Sequence, residues 1–343
     1  MKRSKALAIE EQSISGLAFT GREYTPENVE LTVQNGIITE IIPARKEPRA
    51  YILPAFFNAH THIGDTIAMD TPIDRPLADL VAPPNGLKHQ ILRATPSAVL
   101  TEAMRSTIHF MQSTGTRGFA DFREGGTAGV EALLRAGNPE MQMVILGRDG
   151  GELAPGAAGL GLSNAHGRRD EDEAVACARR AGKLIAVHAG EAGTKDIEPA
   201  FALEPDLIIH AAQFSDADIR RAADEDIAVA VCPRSNWLLG AAGSAARPPV
   251  KKLLDAGVRV YLGTDNAMFV PPDMYQECAF LMTVYKVSAE NALRMATAGF
   301  ALADSSSEIT IGSRAYLTVA PIPEFLHWSR HPLATLLTRR NVI

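Results

Sequence analysis

The sequence predicts an α/β fold: a (β/α)8 TIM barrel carrying a small β-sandwich-like satellite domain built from both termini. Three observations point there. Between Pro54 and about Asp304, short β-type apolar runs alternate with amphipathic helical stretches, the pattern of parallel βα units. Eight such runs occur in roughly 250 residues, the strand number and size of that barrel. On either side the alternation gives way to short strands separated by turn residues. A doubly wound sheet with fewer strands meets the same alternation and stands as the alternative, because the fourth run is short and glycine-rich.

Taken in order, residues 1–53 contain four strand-like runs, Leu17–Thr20, Val29–Val33, Ile37–Ile42 and Ile52–Leu53, with Asn35-Gly36 as a hairpin signal between two of them. The barrel strands are then Ala55–Ala59, Arg117–Phe122, Met143–Gly147, Gly159–Ser163, Leu184–His188, Leu207–His210, Ile227–Cys232 and Val258–Thr264. Between them, Thr101–Met111 carries Met104, Ile108 and Met111 at helical spacing, and Ser215-x-x-Asp218 reads as a capping box opening a helix through Ala223. Met274–Val287 and Ala289–Leu302 are the last barrel helices. Glu308–Thr310 and Ala315–Ala320 are β-like again, so 1–53 and 305–343 form one composite satellite around a barrel of residues 54–304. The tail 327–343 has no assignment.

Composition narrows the function classes. With 46% hydrophobic and 22% charged residues over 343 positions, the chain folds around a large core. A net charge of −6 without a basic run excludes a nucleic-acid footprint, and no apolar run nears the ~20 residues of a membrane span. The charged N-terminus develops no signal-peptide core. Cys177, Cys232 and Cys278 are an odd set without C-x-x-C spacing, which speaks against a disulfide scaffold and a thiolate zinc cluster and places the chain in a reducing cytoplasm. The partner expected is a small molecule; assembly into a homo-oligomer stays open.

The histidines carry the chemistry. His60 and His62 form H-x-H at the end of the first strand, where period-two alternation sends both side chains to one face. His188 ends the fifth strand, His210 the sixth, and Asp265 follows the eighth in Leu262-Gly263-Thr264-Asp265. Each alone has a plain reading as a polar-loop or core side chain, or, for Asp265, a cap. Together they occupy the C-terminal ends of four strands, where barrel enzymes keep their catalytic groups. Imidazoles with a carboxylate suit zinc or another divalent first-row metal, and an open coordination position lowers the pKa of a bound water to ~7, giving a metal hydroxide at neutral pH.

The ordered set Pro54-Ala55-Phe56-Phe57-Asn58-Ala59-His60-Thr61-His62, His188-Ala189-Gly190-Glu191, His210 and Gly263-Thr264-Asp265 resembles the amidohydrolase superfamily, in particular its mononuclear aminohydrolase branch with adenosine and cytosine deaminases. The resemblance covers the barrel and its flanking β segments. It implies one divalent metal ion, zinc in first place with iron(II) or manganese as alternatives, held by His60, His62, His188 and Asp265. It also implies Glu191 as the catalytic carboxylate and His210 as the residue that positions water or polarises substrate. The third and fourth strands end in Gly147-Arg148-Asp149 and Leu162-Ser163-Asn164, with no lysine for a second metal. Tyr316 stands where family members usually place aspartate, a departure that concerns only the satellite.

The implied reaction is hydrolytic deamination of an amino-substituted nitrogen heterocycle of purine, pyrimidine or pterin type. Glu191 would protonate the ring nitrogen, a general acid/base contribution of ~10²- to 10⁴-fold, with Asp265 and His210 taking or orienting the proton of water. Ring opening of a cyclic amide, as in imidazolonepropionase-like relatives, is the alternative, and a non-catalytic metal-binding protein the weaker one. The long loop from Gly64 to about Pro96 is a candidate lid over the mouth. Arg123, Glu124, Arg148 and Asp149 read as rim salt bridges or substrate contacts, the rim being favoured. Cys232-Pro233-Arg234-Ser235-Asn236 resembles a stretch seen in aminohydrolases of this branch and is expected to shape the pocket around a buried, non-nucleophilic Cys232.

Overall fold

The computed structural model describes residues 11–322 and 324–339; the N-terminal stretch 1–10, read above for leader character, and tail residues 340–343 lie outside them. Four strands open the chain: β1 (Glu11–Thr20), β2 (Thr25–Gln34), β3 (Ile37–Pro43) and β4 (Ala50–Pro54). Their alternating exposed and buried residues mark a sheet with one wet face. The barrel follows with β5 (Phe56–His62), β6 (Thr116–Arg123), β7 (Gln142–Gly147), β8 (Gly159–Leu162), β9 (Leu184–Ala189), β10 (Leu207–His210), β11 (Ala228–Val231), β12 (Val260–Leu262) and β13 (Asp265–Asn266), and β14 (Leu317–Pro321) returns to the satellite.

From β5 to β12 each strand pairs in parallel with the next, helices filling the crossovers. The eighth barrel strand is split into β12, which continues the sheet, and β13, which pairs with β5 (Asp265 opposite Thr61, Asn266 opposite His62) and closes the ring. At the break, Gly263 lies so close to β5 that a Cβ there would sit 2.8 Å from His60 Cβ. The Thr264 N–H donates to His60 O (3.2 Å) and Asn58 Oδ1 (3.0 Å), and Asn58 Nδ2 donates to Thr264 Oγ1 (2.7 Å). The seam is therefore hydrogen-bonded on both sides of the split.

Alternation sorts the barrel residues. Phe57, Ala59, Ala120, Phe122, Val144, Leu146, Ala186, Leu207, Ile209, Ala228, Ala230 and Tyr261 fill the interior, while Ile185, Val187, Ile208, Val229 and Val231 face the helices. The satellite is one five-stranded sheet in the order β14-β4-β1-β2-β3, with β14 antiparallel to β4. Its opposite edge also meets the C-terminal segment, where Ile37 bridges to Arg314.

The expected barrel is borne out; the corrections are local. Glu308–Thr310 is irregular rather than a strand: it gives one carbonyl, that of Ile309, to the Gly21 N–H, and buries the Ile309 side chain in the satellite core without forming a ladder. The helix expected over Met274–Val287 stops at Val284, and the one expected over Ala289–Leu302 passes into a 3-10 turn at Ala298. Part of the unassigned tail is a helix, Pro332–Arg339, whose Leu333, Leu336 and Leu337 bury against the main core.

Candidate metal centre and catalytic site

The strands bring His60, His62, His188, His210, Glu191 and Asp265 to one place at the C-terminal mouth. His188 follows Ala186 on the inward face of β9, as alternation dictates, but the other histidines need a break in it. Phe57 and Ala59 point into the barrel, so His60 and His62 have the opposite parity; a register shift of β5 against β6 between Asn58 and Thr61 turns them inward. His210 follows inward-facing Ile209 and turns in through a left-handed backbone (φ 74°), and Asp265 sits at φ 65°. Such conformations cost non-glycine residues ~1–3 kcal/mol each and concentrate at functional sites.

The ring centroids of His60 lie 5.0 Å from His62, 4.8 Å from His188 and 5.7 Å from His210. Asp265 Oδ1 is 3.2 Å from His60 Nε2 and 3.7 Å from His62 Nε2. Beside them Glu191 Oε2 stands 3.7 Å from His210 Nε2, its side chain 23% exposed while His210 is closed off. Phe122 packs edge-on against His60 and His188, at 4.7 and 4.6 Å between centroids.

Burial decides the charge states. It lowers His60 to about 4, against the pull of Asp265, and His62 to about 3, with Lys88 acting in the same direction. His188 is also held well below the ordinary imidazole range by burial and by the other histidines. For Asp265 burial opposes the charge, but the His60 hydrogen bond and the neighbouring imidazoles prevail and hold the carboxyl well below its usual range. Burial raises Glu191, partly offset by His210.

This donor set fits a divalent cation. Ligand atoms of His60, His62 and His188, and of His60, His210 and Asp265, lie within 4.8 Å of one another. The imidazoles of His60, His62 and His188 are held neutral, as metal ligation requires. His188 donates Nδ1–H to Leu162 O (2.8 Å), which leaves Nε2 as the lone-pair nitrogen. His60 Nδ1 is buried without a hydrogen-bond partner.

Supporting side chains come from two segments that the sequence marked, one as pocket-shaping and one as a candidate lid, without showing which side chains they would contact. Pro233 starts a helix directly after β11, and its first turn aims Ser235 Oγ at Asp265 Oδ2 (2.5 Å) and Asn236 Nδ2 at His210 Nδ1 (3.1 Å). Cys232 is buried as expected, with its thiol pushed well above the usual range by burial. The candidate lid reaches under the mouth: Lys88 Nζ is 2.8 Å from Asp65 Oδ2, 2.8 Å from Glu124 Oε1 and 3.4 Å from His62 Nδ1. Arg123 and Glu124 are not the rim residues favoured from sequence. Arg123 is fully buried against Asp121 (3.2 Å) and Glu124 (2.7 Å), and Glu124 Oε1 lies 3.2 Å from His62 Nδ1.

The chain has relatives in sequence and in fold among known proteins. The family model described as the amidohydrolase family matches residues 51–334. A protein of Methanothermobacter thermautotrophicus named "putative aminohydrolase" is 33% identical over 326 residues, covering 82% of this chain and 84% of that one. An adenine deaminase of Chelativorans is 36% identical over 142 residues, 40% of this chain and 42% of its own length. In fold, the chain is similar to a zinc-bound adenosine deaminase of Xanthomonas campestris, with a TM-score of 0.72 at 17% identity over 92% of this chain and 85% of that one. The chain belongs to the amidohydrolase family, which makes it a hydrolase acting on carbon–nitrogen bonds. No helix among the described residues is long and apolar enough to cross a membrane.

Proposed function

We propose that this hydrolase deaminates an amino-substituted nitrogen heterocycle with the help of one divalent metal ion, zinc in first place, held by His60, His62, His188 and Asp265. The observation that carries the reading is the convergence of two triads that share His60, His60–His62–His188 and His60–His210–Asp265, beside Glu191. The names of the relatives support it, since aminohydrolases and deaminases recur among them. When bound, the ion supplies an acidified water for hydrolysis and draws charge from the developing tetrahedral centre.

The chain's own residues do the rest. Glu191, whose pKa is raised by burial, keeps a proton nearer to neutrality than a solvated carboxyl does and donates it to the ring nitrogen next to the amino-bearing carbon. That carbon becomes electrophilic as water adds. His210, fixed through Nδ1 by Asn236, orients the incoming water, and ionised Asp265 accepts one of its protons. The second proton reaches the amine, the carbon–nitrogen bond breaks and ammonia leaves, while the proton on Asp265 returns to Glu191. Water and the amine are consumed; the oxo heterocycle and ammonia are formed.

Ammonia release from a panel of aminopurines, aminopyrimidines and aminopterins tests the reading with metal-reconstituted protein. Glu191→Gln is expected to retain metal while kcat falls by at least ~100-fold. An unchanged kcat would remove Glu191 from the mechanism. Silence across all amines with hydrolysis of a cyclic amide would overturn deamination itself.

A further inference from the structure

Arg148 follows β7 at the same end of the barrel. Its guanidinium carbon stands 5.9 Å from the centroid of Phe122, the ring that packs on His60 and His188. Nη1 donates to Ser163 Oγ, next to Leu162, whose carbonyl holds His188. Nε and Nη2 are shut off from solvent and reach no acceptor. Asp149 and Glu152 follow on the same loop, yet neither comes within ion-pairing distance, and Arg148 forms no ion pair with any described residue. The two other cations near the cluster are spoken for: Lys88 by Asp65 and Glu124, Arg123 by Asp121 and Glu124.

A guanidinium with two of its donor groups shut off from solvent and from any acceptor is poorly satisfied. An oxyanion corrects this: a carboxylate or phosphate accepts two parallel N–H bonds from the planar fork, a pairing that lysine does not reproduce. Arg148 is partly exposed where it follows β7. We infer that Arg148 is a specificity residue that binds an oxyanion substituent of the substrate, so the substrate is a heterocycle bearing a carboxylate or a phosphate. The inference rests on the deamination reading for the reaction, but the recognition step is separable from it.

Two measurements on metal-reconstituted protein test it. In the first, benzoate, phenyl phosphate and the neutral benzyl alcohol are titrated calorimetrically against the protein and against Arg148→Met and Arg148→Lys. At least one anion is expected to bind the parent ~100-fold more tightly than it binds Arg148→Met, with Arg148→Lys recovering only part and benzyl alcohol indifferent. Which anion binds separates a carboxylate from a phosphate. In the second, ammonia release is compared for cytosine against 5-carboxycytosine and for adenosine against adenosine 5′-monophosphate. A charged member is expected to be preferred, and Arg148→Met to remove that preference while leaving the neutral member's kcat/KM within about 3-fold. Equal anion binding by parent and Arg148→Met overturns the inference, as does a preference for neutral members. Arg148-dependent anion binding with no ammonia from any compound would leave the oxyanion site standing and sink the deamination reading instead.

Discussion

Ser235 shows how much of the centre depends on residues that would touch neither metal nor substrate. Its hydroxyl meets Asp265 Oδ2 at 2.5 Å, leaving Oδ1 toward His60 and His62. Removing it frees the carboxylate to rotate and deprives a buried charge of one hydrogen bond. Ser235→Ala is expected to weaken metal affinity 10- to 100-fold, roughly the effect of losing an outer-sphere partner, read by competition with a chelating dye. An affinity within 2-fold of the parent would show that β13 alone orients Asp265. Five of the six central residues were legible because their types are rare at strand ends, and Glu191 only through the family resemblance; the route by which they converge was not legible. Strict alternation places His188 correctly, but carried through from Ala59 it would turn His60 and His62 outward. It takes the register shift in β5 and the positive φ of His210, both set by neighbouring strands rather than by local sequence, to bring them inside.

Among the elements, the loop after β5 departs furthest from its sequence reading. A long connection with turn residues reads as a surface lid, and nothing local says that one lysine of it is buried. In the fold, helix Leu87–Ala94 carries Lys88 down to Asp65 and Glu124, so the loop is anchored at its middle. Lys88 remains charged there because the two carboxylates outweigh its burial, while Asp65 is raised to about 6 by burial despite Lys88. Lys88→Met leaves two buried carboxyls without that cation and is expected to cost about 3–5 kcal/mol of stability, measured by urea unfolding. Adding Asp65→Asn should recover part of the loss. No loss in the single variant would mean that Arg123 alone neutralises Glu124 and that the loop is held by its apolar contacts. The helix after β11 is the contrasting case: its Cys-Pro-x-Ser-Asn stretch was visible in sequence, but the targets of Ser235 and Asn236 lie on strands 30 and 26 residues away.

At the scale of the molecule, the proposed cation is a structural link as well as a chemical one. Its four candidate ligands come from β5, β9 and the start of β13, and β13 closes the barrel with only two residues paired to β5. An ion joining these strands binds the folded chain and not the unfolded one, so it stabilises by RT ln(1 + [L]/Kd), about 4 kcal/mol at a thousandfold excess over Kd. Protons compete for the same lone pairs. In the metal-free protein, His60 is lowered to about 4 and His62 to about 3, mainly by burial, whereas unfolded histidines protonate near ~6.5. Between pH 6.5 and 4 the unfolded chain therefore binds more protons than the folded one, and stability falls as pH falls. Two melting series by circular dichroism check this, one on protein stripped with a chelator and dialysed, one on the same protein reloaded with zinc. The reloaded protein is expected to melt higher at pH 7.5, the stripped protein to lose Tm steadily from pH 7 to pH 5, and the gap between them to narrow toward pH 5 as protons displace the ion. Coincident curves at pH 7.5 would show that the folded barrel does not hold the cation. A stripped protein indifferent to pH over this range would show that its imidazoles are not buried in neutral form.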